Sequence, residues 1–485
     1  MIETLTSTPV RAQPPLIIQG GMGVAVSSWR LARAVAETGQ LGVVSGTALD
    51  VVIARRLQDG DPGGHVRRAL EHFPVPAMAD RVLQRYFRSG GRAPGQAYKA
   101  TPQLTLRPGP RTMELSVVAN FAEVWLAKEG HDGLIGVNFL EKIQLATATA
   151  AYGAMLANVD YVLMGAGIPA KIPHLLDQLA QHAPAQLDLH VEGATSSYAV
   201  GLVPHTLTGT ELPPLRRPIF LAIVSADVLA TYLAREDGTR PDGFVIEGPP
   251  AGGHNAPPRG RLTLDDTGQP IFGPRDQANV AKVAALGLPF WLAGSYATPE
   301  RLREAKALGA TGIQAGTIFA LSTDSGLVSG LRQELLTELG EGRLVVRTDP
   351  LASPTRFPFK VASIPGTLAD GEVYAARARI CDLGYLRAAY ERSPGVIGYR
   401  CPAEPVQDYL RKGGSLADTA GRMCLCNGLT ATVGLGQTRQ DGYQEPALAT
   451  LGTDLAGAEQ LLSRHPDGWS AAQGVDYLIG TRTSR

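Results

Sequence analysis

Eight short apolar runs punctuate the first two thirds of the chain, and nearly all of them run into Gly, Ser or Asn. They are Pro15–Gln19, Leu41–Ser45, Leu134–Asn138, Val159–Met164, Ile219–Val224, Gly243–Glu247, Pro289–Ala293 and Gly312–Ala315. Runs of this length between turn residues predict strands buried on both faces. Helical patterns fall between them: Ser28 to about Thr38 with Gly39 as its stop, Ala-rich Thr147–Ala157, Asp227–Arg235, Arg275–Leu286 and Pro299–Leu308. The last has the clearest start, with Thr298 as N-cap and Pro299 at the first helical position. Strands alternating with helices imply parallel pairing through right-handed crossovers. Eight such units favour an α/β fold closed into a (β/α)8 TIM barrel over the rival open, doubly wound sheet.

Two stretches interrupt the alternation. Residues 50 to about 115 predict a helical insertion with a Gly/Pro-rich loop, Ser89–Gly95, and residues 185–215 an extra strand pair beginning at Leu187–Val191. From about residue 341 the alternation stops. The expected division is therefore a barrel with its insertion over 1–340 and a C-terminal cap subdomain over 341–485.

Composition narrows the class. Hydrophobic residues make up 44% and charged residues 19%, enough apolar material for a substantial globular core. The 45 basic residues balance 45 acidic ones, so no electrostatic footprint for nucleic acid or an anionic membrane is expected. No apolar run is long enough to span a bilayer, and the N-terminus lacks a basic region followed by an apolar stretch. The expectation is a cytoplasmic protein with small-molecule partners, homo-oligomer formation being left open. Disulfides are rare in that compartment, so the four cysteines need another account.

In a barrel of this kind, functional groups gather where strands end and loops begin. Three stretches carry candidate chemistry there. Gln19-Gly20-Gly21-Met22-Gly23 lets a flat ligand approach the backbone, with Met22 as a polarizable contact, although a tight turn reads the same way. Glu247 through Asn255 places His254 on a glycine-rich loop, where an imidazole can exchange a proton near neutral pH. The alternative there is a solvated or structural histidine. Leu292-Ala293-Gly294-Ser295 and Gln314-Ala315-Gly316-Thr317 end the last two strands, with small residues exposing backbone N–H groups and two hydroxyls. Such chemistry suits a phosphate monoester, and two such loops at the last two strands favour that reading over simple barrel closure. Cys381, Cys401, Cys424 and Cys426 all lie in the tail. Four thiolates could hold zinc or an iron–sulfur cluster, but the spacing is not a repeated CxxC, and the commoner alternative is four reduced thiols packed as small apolar groups.

Taken in order, QGGMG at 19–23, GVN at 136–138, AGGHN at 251–255, LAGS at 292–295 and GATGIQAGT at 309–317 resemble the nitronate monooxygenase family, formerly called 2-nitropropane dioxygenases. The resemblance spans roughly residues 14–325. FMN-dependent enoyl-acyl-carrier-protein reductases belong to the same superfamily, and these motifs do not separate the two activities. The resemblance implies a non-covalent FMN. It would be contacted by Gly21, Met22 and Gly23, by Ser45, Asn138, Gly165 and Gly167, and by Gly252, Gly253 and Gln314. Gly294, Ser295, Gly316 and Thr317 would cradle the phosphate, and His254 would be the active-site histidine. The implied reaction is oxidation of alkyl nitronates by dioxygen to a carbonyl compound and nitrite. The alternatives are reduction of an enoyl thioester by NAD(P)H and a flavin-binding protein without turnover. The chain departs from simpler members in the Asn-Ala-Pro-Pro-Arg after AGGH, in the insertion and in the tail, and these departures touch the substrate side more than the flavin side.

Overall fold

A computed structural model describes residues 13–439 and 442–480. Residues 1–12, on which the reading of the N-terminus rests in part, lie outside the described residues. The eight apolar runs form eight strands: β1 Ile17–Gln19, β2 Leu41–Ser45, β3 Ile135–Leu140, β4 Tyr161–Gly165, β5 Ile219–Val224, β6 Gly243–Glu247, β7 Phe290–Ala293 and β8 Gly312–Ala315. Each pairs in parallel with the next, and β8 pairs back with β1, closing a barrel in chain order.

The strands are apolar almost throughout because both faces are covered, and the two-residue period divides them between two cores. Ile18, Val43, Leu163, Leu221, Val245 and Trp291 fill the barrel interior. Their neighbours Ile17, Val44, Val162, Phe220, Phe244 and Leu292 join the layer between the strands and the surrounding helices. Trp291, almost wholly buried, donates its indole N–H to the carbonyl of Pro15 at 2.8 Å, so that polar atom is satisfied. One step further along each strand, the same period turns Ser45, Asn138, Gly165, Ile223, Glu247 and Gln314 toward the C-terminal mouth.

Helices Leu49–Gln58, His65–Glu71 and Pro76–Tyr86 form the expected insertion and lead into the long helix Pro110–Lys128. The extra strand pair is antiparallel, Ala185–Leu189 with Tyr198–Leu202. Two helix starts differ from expectation. Ser28 holds the N-cap position but makes no capping bond; Glu123 reaches across from Pro110–Lys128 and accepts from the Trp29 N–H at 2.9 Å. The expected helix Arg275–Leu286 is instead a single 3-10 turn, Pro274–Asp276, followed by Val280–Ala284. Gln277 is extended, and the Asn279 side chain caps the second piece by accepting from the Lys282 N–H at 3.2 Å. Thr298 caps Pro299–Ala307 as its sequence position requires, accepting from Arg301 at 3.3 Å.

Past residue 341 the chain forms two antiparallel pairs, β9 Val346–Asp349 with β10 Phe359–Ala362 and β11 Ala388–Ser393 with β12 Val396–Arg400. It then returns to the barrel. Helix Ala471–Ile479 packs on Trp29–Ala36 and Pro299–Ala307. Trp469, fully buried, donates to the Ile318 carbonyl at 2.7 Å. Among the described residues no helix is long and apolar enough to cross a membrane.

Candidate active site

Two clefts meet at the mouth of the barrel. The wider, of about 980 Å³, is walled by apolar side chains, among them Phe139, Leu140, Ile143, Ile223, Phe359, Leu386, Leu425 and Leu429. Ser45, Asn138, Glu247, His254 and Gln314 bring polar groups into it. The narrower, of about 840 Å³, runs out over the ends of β7 and β8 and is lined by Gly294, Ser295, Gly316 and Thr317. Gly21, Gly23, Glu247, Gly252, Gly253, Gln314 and Thr450 border both, so the two form one continuous space.

The first loop is held by a serine. Ser27 Oγ donates to the Gly20 carbonyl at 3.0 Å and accepts from the Met22 N–H at 3.0 Å and from Gln19 Nε2 at 2.8 Å. Ser45 Oγ donates to the Gly23 carbonyl at 2.6 Å. The glycines do more than admit a ligand. A Cβ at Gly21 would stand 2.4 Å from the Asn138 Cβ, one at Gly165 2.9 Å from that of Ile223, and one at Gly167 2.0 Å from Glu141 Oε2. Their first role is to let neighbouring side chains pass. Gly165 lines the wide cleft and Gly167 lines neither. Met22 borders the narrow cleft only.

At the narrow end, Gly294 and Ser295 are both left-handed, with φ of 78° and 69°. A Cβ on Gly294 would lie 3.0 Å from the Gly248 carbonyl. Ser295 accepts a conformation a non-glycine residue seldom adopts, a feature that concentrates at ligand-binding turns. Helix Thr317–Ala320 begins here without a side-chain cap. Such an end offers unsatisfied N–H groups to an anion. Gln314 Oε1 on the floor is buried without a partner, an acceptor that a bound donor would satisfy.

The His254 loop is built largely by the tail. The Gly253 carbonyl accepts from the Lys360 N–H at 2.9 Å, the Asn255 N–H donates to Pro358 at 2.9 Å, and the Gly253 N–H donates to Thr450 Oγ1 at 3.0 Å. Gly452 closes the narrow end by donating to Thr317 Oγ1 at 3.0 Å. The His254 ring stands edge-on to Phe359, 4.9 Å between centroids, with Nε2 2.7 Å from Ser353 Oγ. Burial, reinforced by the nearby Lys142 ammonium, pushes its pKa down to about 4, so the ring is neutral at pH 7. Burial also raises Glu247 to about 7, opposed by Lys360, and lowers Lys360 to about 8, opposed by Glu247. Lys360, 2% exposed, donates its ammonium to Thr348 Oγ1.

Of the residues expected from the sequence, only Gly167 and the cysteines lie outside both clefts, apart from Cys426, which reaches the wall of the wide one. The expected zinc or iron–sulfur site requires correction. The four cysteines are free and line one small space of about 280 Å³ with Leu383, Leu386 and Leu425. Among the described residues, no group of three or more His, Cys, Asp or Glu is disposed to hold a metal ion. Burial raises Cys424 to about 11 and Cys426 further, and contact with Cys381 together with burial raises Cys401. Cys381 is shifted the other way, lowered by its contact with the Cys401 thiol. Glu247, Ser353, Phe359, Lys360 and Thr450 are site residues that motif reading passed over. Glu247 was open to the period-two argument; the other four had no local signal.

At the C-terminal mouth of this parallel eight-stranded barrel, a polar cleft over the ends of β7 and β8 is therefore continuous with an apolar-walled one. No family model matches the chain, and no curated protein does. Among solved structures it is similar to FabK from Thermotoga maritima, at 16% identity over 96% of this chain and 92% of that one, with a TM-score of 0.48. It is similar also to nitroalkane oxidase from Streptomyces ansochromogenes, at 14% identity over 96% and 95%, with a TM-score of 0.46. Likenesses this distant add nothing to what the barrel's own hydrogen bonding establishes.

Proposed function

We propose that the protein is an FMN-dependent oxidoreductase. The observation that carries this reading is the continuity of the two clefts: a polar end at β7 and β8, a floor with an orphaned amide acceptor at Gln314, and an apolar chamber facing His254. Gly294, Ser295, Gly316 and Thr317 would hold the phosphate, and Gly21, Asn138 and Gln314 the ring. Bound there, the flavin would supply the electron-transfer chemistry that side chains lack.

Two substrate classes follow from the motifs, and the chamber wall favours one of them. The chamber wall carries a broad set of apolar side chains, Phe139, Leu140, Ile143, Ile223, Phe359 and Leu386 among them, suited to an acyl chain. His254 is held neutral with its basicity depressed, which makes it a poor base for removing the α-proton of a neutral nitroalkane. The apolar wall favours reduction of an enoyl thioester, in which NAD(P)H and a proton convert the substrate to the saturated thioester and NAD(P)+, and the weak base argues only against neutral nitroalkanes. Oxidation of a pre-formed nitronate needs no base and is the second reading. In either case His254 orients the polar end of the substrate, fixed by Ser353 and Phe359, and the tail strand β10 shuts water out above it.

Anaerobic reduction tests both. NADPH or NADH should bleach the flavin, and a crotonyl-type thioester should restore its colour. Bleaching by an alkyl nitronate, with nitrite formed and no nicotinamide needed, would move the assignment to nitronate oxidation. A colourless protein that takes up no added FMN would overturn the proposal as a whole.

A further inference from the structure

Four titratable side chains line the wide cleft among the described residues: Glu247, His254, Tyr385 and Cys426. Three are committed or inert. His254 is hydrogen-bonded to Ser353, Tyr385 donates its hydroxyl to buried Asp50, and Cys426 is a neutral thiol in an apolar wall. Glu247 alone has no hydrogen bond to its carboxylate; its one polar influence is the charge of Lys360. It sits at the end of β6, faces inward by strand parity, and borders both clefts at their junction.

We propose that Glu247 is the proton reservoir of the barrel mouth: it takes up one proton from solvent when negative charge is placed there and releases it when that charge leaves. This rests on the flavin reading above and adds a residue to it. The balance is simple. Two electrons from a reductant such as NAD(P)H enter the cleft, a solvent proton forms an O–H bond on the Glu247 carboxylate, and when the substrate carries the electrons away that bond breaks and the proton returns to solvent. A free carboxylate in a low-dielectric site suits this task because added negative charge raises its proton affinity steeply. Its acidity near neutral pH places the exchange in the working range. Lys360, on β10, is the opposing charge and stays fixed on Thr348. His254 and Lys142 lie on the substrate side, and Asp454 borders the far end of the narrow cleft.

The test counts protons. With FMN bound, wild type, Glu247→Gln and His254→Asn are reduced anaerobically with dithionite in weakly buffered solution containing a pH indicator, at several values around pH 7. Wild type and His254→Asn should take up more protons than Glu247→Gln, with the excess largest above pH 7, where the resting carboxyl is ionised. Infrared titration of the flavin-free proteins gives an independent readout. A carboxylic-acid band should titrate near neutrality in wild type and be absent in Glu247→Gln. Lys360→Met, which removes the opposing charge, should shift that titration to higher pH. Equal proton uptake in wild type and Glu247→Gln, or loss of the excess in His254→Asn instead, would overturn the assignment while leaving flavin binding intact. Failure to bind FMN would strike the proposed function, and the infrared titration would still decide the state of Glu247.

Discussion

His254 and Glu247 pull on stability in opposite directions. The native imidazole titrates at about 4 against an ordinary 6.5, so below 6.5 the unfolded chain binds a proton the native state refuses. Its share of stability therefore falls as pH drops from 6.5 to 4. The native Glu247 carboxyl titrates at about 7 against an ordinary 4.5, so its share falls as pH rises from 4.5 to 7. Between 4.5 and 6.5 the two slopes oppose. His254→Asn removes one of them, and the variant should gain stability over wild type as pH falls through that window, by up to about 1.4 kcal/mol per pH unit. Urea midpoints across the window check this; a difference that does not change with pH would mean His254 is not held neutral. At the polar end the expectation is steric. A Cβ on Gly316 would already stand 3.3 Å from Met22 Sδ, and Gly316→Trp would fill the recess with an indole. That variant should fold with the thermal midpoint of flavin-free wild type and release no FMN on denaturation. Retention of stoichiometric FMN would place the phosphate elsewhere.

Among the elements, the loop Gly252–Asn255 depends on two tail segments, β10 and the stretch around Thr450. Thr450→Val keeps the shape but removes the acceptor for the Gly253 N–H, at a cost of roughly 1–3 kcal/mol if that donor stays unpaired. Hydrogen exchange should quicken across residues 250–256 while the barrel strands keep their protection. Slowed exchange, or exchange unchanged in the loop, would show that Thr450 does not hold it. The barrel strands were legible because burial on both faces writes itself into a run such as Ile219–Val224, and the turn residues after it mark where the mouth lies. Glu247 was legible in principle, two residues on from inward-facing Val245. The Lys360, Ser353 and Thr450 contacts were not, since each is a single bond between residues about a hundred or two hundred positions apart, with no periodicity to announce it. The cysteines misled for a related reason: closeness in the sequence reported closeness in space, but not the leucines that share that space or the lack of a metal-holding group among the described residues.

At the scale of the whole molecule, the tail is bound into the core from which the sequence pattern would divide it. One apolar cluster runs from Ile17 through Phe319 and Leu335 to Trp469 and Leu478. Arg55, buried in the insertion, donates to the Leu435 carbonyl, and Gln437 accepts from the Tyr98 N–H at 2.7 Å, so the insertion too leans on the tail. A chain ending at residue 340 would expose the faces of Trp29–Ala36 and Pro299–Ala307 that helix Ala471–Ile479 covers, and would leave the Ile318 carbonyl without the Trp469 indole. Burying side chains of this kind contributes about 1.5–3 kcal/mol each, while a whole domain is stable by only about 5–15 kcal/mol, so losing several exceeds the margin. Residues 1–340 expressed alone should therefore be insoluble, or soluble with near-ultraviolet circular dichroism lost and a hydrophobic dye bound, and should hold no FMN in either case. Adding residues 341–485 in trans during refolding should restore part of both signals. A soluble 1–340 chain that unfolds cooperatively and keeps FMN would show that the barrel is an independent unit and the tail a detachable cap.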